Sequence, residues 1–226
     1  MIERKFVAAN MKEFLIQEFI ASSIKGAEHS HTKLQRTPLG EKIVIYSARP
    51  GIIVGRKGQN IKQLTKVLKK KFGLENPQIE ISEVESVYFD ANIMAERIAN
   101  YLEKFGTQRF KSIGHKVMSE VMNAGAMGIE ILISGKVPSA RAKTWRFYQG
   151  YLKKCGDIAL TGVNHANATA TLKTGSIGIK VSIMPPDTKL PDHITIKEEK
   201  EQVVEEAKQP EEQKETKEKD GKEEGA

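Results

Sequence analysis

The sequence is poor in the residues and patterns that mark membrane spans, disulfide frameworks and nucleotide-dependent enzymes. Cys155 is the only cysteine among 226 residues, so a disulfide within the chain and a zinc site built from several cysteines are excluded. No apolar run approaches the roughly 20 residues needed to cross a bilayer, and neither a secretory leader nor a lipidation motif is visible. We therefore expect no membrane attachment, and we expect the reducing conditions of a cytoplasm.

Groups suited to catalysis or metal binding are also scarce. The five histidines are scattered along the chain, and none lies at metal-ligand spacing from other histidines, cysteines or carboxylates: His29, His31, His115, His165 and His193. The phosphate-loop pattern Gly-x-x-x-x-Gly-Lys-Ser/Thr is absent. The sequence thus predicts no metal, no cofactor and no enzymatic activity, with the histidines as polar surface or local hydrogen-bonding residues.

The charge is strongly divided along the chain. The formal net charge is +7, yet residues 197–226 carry 7 Lys and 12 Asp/Glu, a net charge of −5. The preceding 196 residues therefore carry +12. A basic folded part predicts a polyanionic partner such as a nucleic acid. The acidic Lys/Glu-rich tail, 191–226, has almost nothing to bury and is predicted to be disordered.

The most informative stretch is an apolar run that breaks at Gly55-Arg56-Lys57-Gly58 and restarts as a helical pattern. Two glycines permit a tight turn, two cations occupy its apex, and the following helix directs unpaired N–H groups to the same place. This combination suits a phosphodiester backbone and resembles the signature loop of KH nucleic-acid modules. Two further Gly-x-x-Gly patterns, at 125–128 and 175–178, lack both features and predict a helix end and a bend.

The helix after that turn extends the basic character. Its apolar residues fall on one face, and its lysines fall on the opposite flank: Lys62, Lys66, Lys69 and Lys70. A lysine-rich helix face is most often simply solvated. Because these lysines continue from a cationic turn, we predict that Gly55, Arg56, Lys57, Gly58 and the four lysines bind an RNA backbone.

The order of predicted elements around the turn indicates one KH variant. A helix over 3–24 with a broad apolar face precedes strands over 27–36 and 41–47, and Pro50 opens a short helix. The turn, the lysine helix and a strand over 78–84 follow. Two strands before the turn and one after it are typical of the type II KH arrangement. The prediction is a KH module over about 15–86 within an N-terminal domain, 1–90.

The second half predicts another α+β domain, 91–190. Helical patterns cover about 91–104 and 111–124, and strand patterns cover about 129–137, 143–154, 167–174 and 177–184. Two helices would then pack on a four-stranded sheet. The predicted fold class of the whole chain is α+β.

The second half also carries candidate RNA contacts, namely Arg109, Lys111, Lys116, Arg141, Lys143 and Arg146. Aromatic residues interleave with the last of these, at Trp145, Phe147, Tyr148 and Tyr151. Mixed basic and aromatic residues can hold phosphates and stack bases. An ordinary strand would bury alternate aromatics instead, so we expect phosphate contact by some cations rather than base stacking.

Three motifs occur in order and carry a specific resemblance: Gly51 to Gly58, Gly125 to Ile131 followed by Ser134-Gly135, and Gly178 to Ile183. Over residues 1–190 the chain resembles the family of protein three of the small ribosomal subunit, in its archaeal and eukaryotic version. The resemblance implies a ribosome-associated, cytoplasmic protein that binds ribosomal RNA in the head of the subunit. It also implies a position beside the path by which messenger RNA enters, next to ribosomal proteins ten and fourteen.

The resemblance further implies roles for individual residues. In the bacterial version, a basic cluster on the first part of the second-domain helix faces incoming messenger RNA, and Lys111 and Lys116 match two of its positions. Ser112 and His115 replace two other cations, so the cluster is thinner here.

Two alternative functions stay open. One is a free-standing KH protein that binds single-stranded RNA without a ribosome. The other is cleavage at damaged DNA through a lysine amine, which the resemblance to eukaryotic members suggests, although the sequence singles out no lysine for it.

Overall fold

The computed structural model describes residues 2–24, 26–38, 40–74, 76–138, 140–192 and 194. The described residues up to Thr188 form one compact unit. The predicted disordered tail falls almost wholly outside the described residues. Within the described helices, none is long and apolar enough to cross a membrane.

The N-terminal half contains a helix, two strands, a short helix, a longer helix and a third strand. Their bounds are α1 Ile2–Ser23, β1 His29–Thr37, β2 Gly40–Ser47, α2 Pro50–Val54, α3 Gln59–Phe72 and β3 Gln78–Glu83. The sheet order is β1-β2-β3, with β1 antiparallel and β3 parallel to the central β2. The parallel pair follows from the α2–α3 crossover, since parallel strands need a long connection. This is the predicted type II order.

The apolar residues of this half form their own core. Ile43 and Ile45 of β2 are fully buried beside their β3 partners Ile79 and Ile81. The same core takes Ile16 and Ile20 from α1, Ile53 from α2, and Leu68 and Leu74 from α3 and its end. Alternate strand residues point to one face, and the three helices bury their apolar sides against it.

The first two-thirds of α1 extend beyond this core. Only Ile16 and Ile20 of the helix are buried, whereas its apolar residues before position 16 are 46–67% exposed: Ile2, Phe6, Val7, Met11, Phe14 and Leu15. Val7, Met11 and Phe14 follow the helical spacing of a single stripe. The broad apolar face expected from the sequence is thus present, but most of it faces away from the core.

The C-terminal half packs two helices on one face of a four-stranded antiparallel sheet of order β5-β4-β7-β6. The elements are α4 Ala91–Phe105, α5 Phe110–Asn123, β4 Gly128–Gly135, β5 Lys143–Gly150, α6 Ile158–Thr161, β6 Asn164–Leu172 and β7 Gly175–Met184. Ile129, Ile131 and Ile133 of β4 are fully buried at the centre of this second core.

Strand β5 is shorter than predicted. It ends at Gly150, and the prediction that it continues to residue 154 is wrong. Gly150 has φ +78°, and a Cβ atom there would lie 2.4 Å from the carbonyl oxygen of Met127. The chain turns at this point because only glycine fits such a close approach, and Tyr151 N then donates to Met127 O at 2.8 Å. The short α6 in the following segment was not predicted.

Candidate nucleic-acid interface

The GRKG loop, Gly55–Gly58, has a backbone that requires its glycines. Gly55 and Gly58 have φ +68° and +72°, where a side chain is unfavourable. A Cβ atom on Gly55 would also lie 2.6 Å from the Asn60 side chain. That side chain closes the turn, because Asn60 Nδ2 donates to Ile52 O at 3.0 Å. The loop is therefore a built turn that presents its two central residues to solvent.

The cations of the loop and of α3 form one continuous group, which we call the KH surface: Arg56, Lys57, Lys62, Lys66, Lys69 and Lys70. All six are exposed, and none makes an ion pair with another described residue. The helix α3 contains no acidic residue, and no side chain at its N-cap position, Gly58, accepts a hydrogen bond from the first turn. Unpaired cations beside an uncapped N-terminus attract anions.

Lys71 belongs to a different face of α3. Its Nζ lies 4.4 Å from the centroid of the Phe19 ring, a cation–π contact. This lysine interrupts the segregation of charge in the sequence because it packs α3 against α1.

The second group of cations lies beside α5. Lys111 and Lys143 converge on Trp145, with Nζ atoms 5.0 and 4.6 Å from a ring centroid of the indole. Trp145 in turn packs on Phe110, at 5.2 Å between ring centroids. Arg141, on the loop before β5, is exposed and lines a crevice with Lys136. Sequence reasoning proposed these cations, but only the fold brings Lys111 and Lys143 to one ring.

Two further predicted cations flank this group. Arg109 lies 5.7 Å from the Phe105 ring centroid. Lys116 lies on the other side of the exposed face of α5, 5.8 Å from the Tyr101 ring centroid and 3.9 Å from Glu120. Ser112 and His115 are exposed between the two lysines of α5. We call Arg109, Lys111, Lys116, Arg141 and Lys143 together the α5 surface.

Arg146 does not join the α5 surface. Successive strand residues point to opposite faces, so Arg146 lies on the face of the sheet away from Trp145. There Arg146 Nε donates to Glu130 Oε1, and Lys154 Nζ lies 2.8 Å from Glu130. Burial opposes ionisation of Glu130, yet the two cations outweigh it and lower the pKa of this carboxyl. Arg146 is thereby engaged within the protein.

The aromatic residues divide in the same way. Phe147 is buried, and its ring contacts Phe110 and His115. Tyr148 and Tyr151 are 47% and 45% exposed. No group of three or more metal-ligating side chains occurs in the part of the chain that the structure describes.

A mixed three-stranded sheet with a Gly-x-x-Gly turn between two helices defines a KH nucleic-acid-binding domain. In agreement, the KH domain family matches residues 15–87, and the family described as "Ribosomal protein S3, C-terminal domain" matches residues 98–183.

Similar proteins extend over nearly the whole chain. A protein of Methanocaldococcus jannaschii named "Small ribosomal subunit protein uS3" is 45% identical over 208 residues, which cover 91% of this chain and 99% of the relative. A protein of the same name from Methanococcus maripaludis is 41% identical over 196 residues, 87% of this chain and 92% of the relative. One from Methanoregula boonei is 40% identical over 195 residues, 86% and 84% of the two chains. This chain belongs to the uS3 family of small-ribosomal-subunit proteins.

Proposed function

We propose that the protein is a structural constituent of the small ribosomal subunit that binds ribosomal RNA of the head through the KH surface. The observation that carries this proposal is the continuity of six exposed cations, unpaired within the described residues, from the GRKG loop along α3. Phosphate contacts of this kind fix register and orientation without reading sequence. The role is noncatalytic: the protein holds folded RNA in place.

The α5 surface is proposed to contact messenger RNA where it enters the subunit. Lys111 and Lys143 are held in place by the Trp145 ring, so little side-chain freedom is lost when they meet a phosphate. Lys116 adds charge on the other flank of α5, and the uncharged Ser112 separates them. Such a sparse, oriented set suits guidance of a moving strand by electrostatic attraction better than tight retention.

The exposed stripe of α1 is proposed to contact neighbouring proteins of the head, such as ribosomal proteins ten and fourteen. Six large apolar side chains on one helix exceed the scattered apolar exposure of an ordinary surface. A protein neighbour would remove them from water. In this proposal the protein acts in the cytoplasm as part of the ribosome.

Sedimentation of a cell extract through a sucrose gradient, at low and at high salt, tests the proposal. An integral constituent comigrates with small subunits and survives the high-salt wash, because many phosphate contacts act together. A variant carrying Arg56→Asp and Lys57→Asp should shift toward the top of the gradient. Wild-type protein found mainly at the top would refute the ribosomal role and favour a free-standing KH protein that binds single-stranded RNA.

A further inference from the structure

The turn between α1 and β1 is held by side chains of α4. Both carboxylate oxygens of Glu96 accept backbone hydrogen bonds, from Gly26 N at 2.7 Å and from His29 N at 2.8 Å. One helical turn earlier on α4, Asn92 Nδ2 donates to Ser30 O at 3.0 Å. Side chains of a helix in the C-terminal half therefore hold the backbone of this KH-domain turn in place.

Glu28 lies at the centre of this turn and links it to the GRKG loop. Its side chain is 4% exposed, accepts a hydrogen bond from Arg97 of α4 at 2.7 Å, and forms an ion pair with Arg49 at 2.9 Å. Arg49 directly precedes Pro50, the first residue of α2, and that five-residue helix leads into the loop. One carboxylate thus joins the C-terminal domain to the start of the RNA-binding element.

The backbone at Glu28 is strained. Only Glu28 and Lys57, at φ +54° and +55°, have positive φ among the described residues other than glycine. Glycine would adopt this conformation without a steric cost, and strain at a non-glycine residue is a reason to look for a function of its side chain. Lys57 is at the apex of the GRKG loop. The corresponding role of the Glu28 side chain is to bind Arg49 and Arg97.

The ion pairs continue from Arg97 toward the α5 surface. Arg97 Nη1 lies 3.9 Å from Glu120 Oε2 on α5, and Glu120 Oε1 lies 3.9 Å from Lys116 Nζ. The signs alternate from Arg49 through Glu28, Arg97 and Glu120 to Lys116. A line of charged contacts therefore runs from Arg49, the residue before α2, to Lys116 of the α5 surface.

We propose that Glu28 is a positioning residue, which holds the α5 surface in one orientation relative to the KH surface, so that ribosomal RNA bound to the KH surface fixes where the α5 surface meets messenger RNA. The inference rests on the proposed RNA-binding function. A surface that is already held in its binding orientation loses less entropy when a strand meets it, which is a gain in affinity. The gain disappears when the two sites move independently.

Two substitutions of Glu28 separate positioning from folding. Glu28→Gln keeps the size of the side chain and removes its charge, whereas Glu28→Gly relieves the strained backbone and removes the carboxylate. Glu80→Gln is the control for loss of an ion pair within one half of the chain, because the Glu80–Lys42 pair at 2.7 Å joins two strands of the KH domain only. The variants are made in the full chain, and their circular dichroism and melting temperatures are recorded first.

The orientation is measured without RNA. Spin labels are attached at Gln63→Cys and Asn123→Cys, both exposed positions, in a Cys155→Ser background, and the distance distribution is recorded by pulsed electron paramagnetic resonance. A single narrow distribution is expected for the otherwise unchanged chain and for Glu80→Gln. Both Glu28 variants should broaden it. An equally narrow distribution in folded Glu28 variants would overturn the proposal.

Translation supplies the second readout, together with RNA affinity. A transcript of the head domain of small-subunit ribosomal RNA tests the KH surface, and a message with stable secondary structure tests the α5 surface. Glu28→Gln should leave transcript binding within about twofold and should slow translation of structured messages about threefold relative to unstructured ones. A large loss of transcript binding, or unchanged translation of structured messages, would overturn positioning. Failure of the proposed function gives a different result. The wild-type chain would then separate from the small subunits in the sucrose gradient, whatever the spin-label distances show.

Discussion

The KH surface and the α5 surface carry similar numbers of cations but use them differently. In the KH surface, the long side chains of six cations point into solvent, and α3 offers no carboxylate to compete for them. Beside α5, Lys111 and Lys143 lie over one indole, and Lys116 lies near Glu120. The comparison shows that the number of cations does not measure the capacity to bind phosphate. A free lysine loses side-chain entropy when it binds a phosphate, whereas a lysine already held on an aromatic ring loses less and fixes where the phosphate binds.

The largest expected effect follows from reversal of the two loop charges. Arg56→Asp with Lys57→Asp should weaken binding of a small-subunit ribosomal RNA fragment by at least about tenfold, and it should reduce the slope of log affinity against log salt by about 1.4 for two lost phosphate contacts. Filter binding across a salt series measures both quantities. Lys5→Asp with Lys180→Asp changes net charge equally, on α1 and on the sheet face opposite α5, and should have little effect. Equal losses in the two double variants would mean that only total charge matters.

A smaller effect on RNA affinity, but a distinct one on translation, is expected at α5. Lys111→Asp with Lys116→Asp should slow translation of messages with stable secondary structure near the start, while the level of assembled small subunits stays the same. The reason is that these lysines guide a moving strand in the proposal, and they do not anchor the protein. Reporter translation and gradient profiles measure the two outcomes. A defect in assembly alone would contradict the proposed contact with messenger RNA.

Substitution of Glu130 tests the opposite change, in which cations engaged within the protein become available to RNA. Glu130→Gln should release Arg146 and Lys154, both more than half exposed at their side chains, and thus raise RNA affinity about twofold to threefold at low salt. It should also lower the free energy of unfolding by about 1–3 kcal/mol, because two hydrogen bonds to a charged acceptor are weakened. RNA binding and urea unfolding measure these changes. Unchanged RNA affinity would show that engagement with Glu130 is not what withholds these cations.

The smallest expected effect is a dependence of stability on pH through His29, the first residue of β1. Burial, followed by the nearby His31, lowers the pKa of His29, and Asp90 opposes them weakly. The unfolded chain then binds a proton at higher pH than the folded chain, so stability declines as pH falls below about 6.5, by less than about 1.4 kcal/mol per pH unit. His29→Gln should flatten this decline in thermal unfolding between pH 7.5 and 5.5. The same decline in the variant would remove His29 as its cause.

Much of the fold was predictable because its signals are local. The GRKG loop is recognisable since two glycines, two cations and a helical pattern are adjacent in sequence, and the lysine face of α3 follows from helical spacing alone. The four strands of the C-terminal half were predicted from their own sequence patterns, whereas their antiparallel order β5-β4-β7-β6 was not predicted. The length of β5 was not predictable, because the turn at Gly150 depends on a close approach to Met127 O, a distant backbone atom.

The surfaces around α1 and Glu28 lay outside sequence reasoning for a related reason. Helical spacing shows that α1 has an apolar face, but not that only the part from Ile16 onward packs into the core. The sequence around Glu28 carries no motif, and its partners Arg49 and Arg97 are 21 and 69 residues away. Contacts over such separations leave no periodic pattern. The domain limits, the tail and the individual RNA contacts stay predictions.

The sequence by itself determined the α+β class, the order of elements, the GRKG loop and the basic character of α3, because each depends on residues within a few positions of one another. Only the tertiary structure decided which cations are available. It placed Lys111 and Lys143 on Trp145, turned Arg146 to the opposite face of the sheet, and joined the two halves through Glu28. Whether a cation is available to RNA depends on which residues surround it in the folded chain, and strand register and helix packing determine those neighbours.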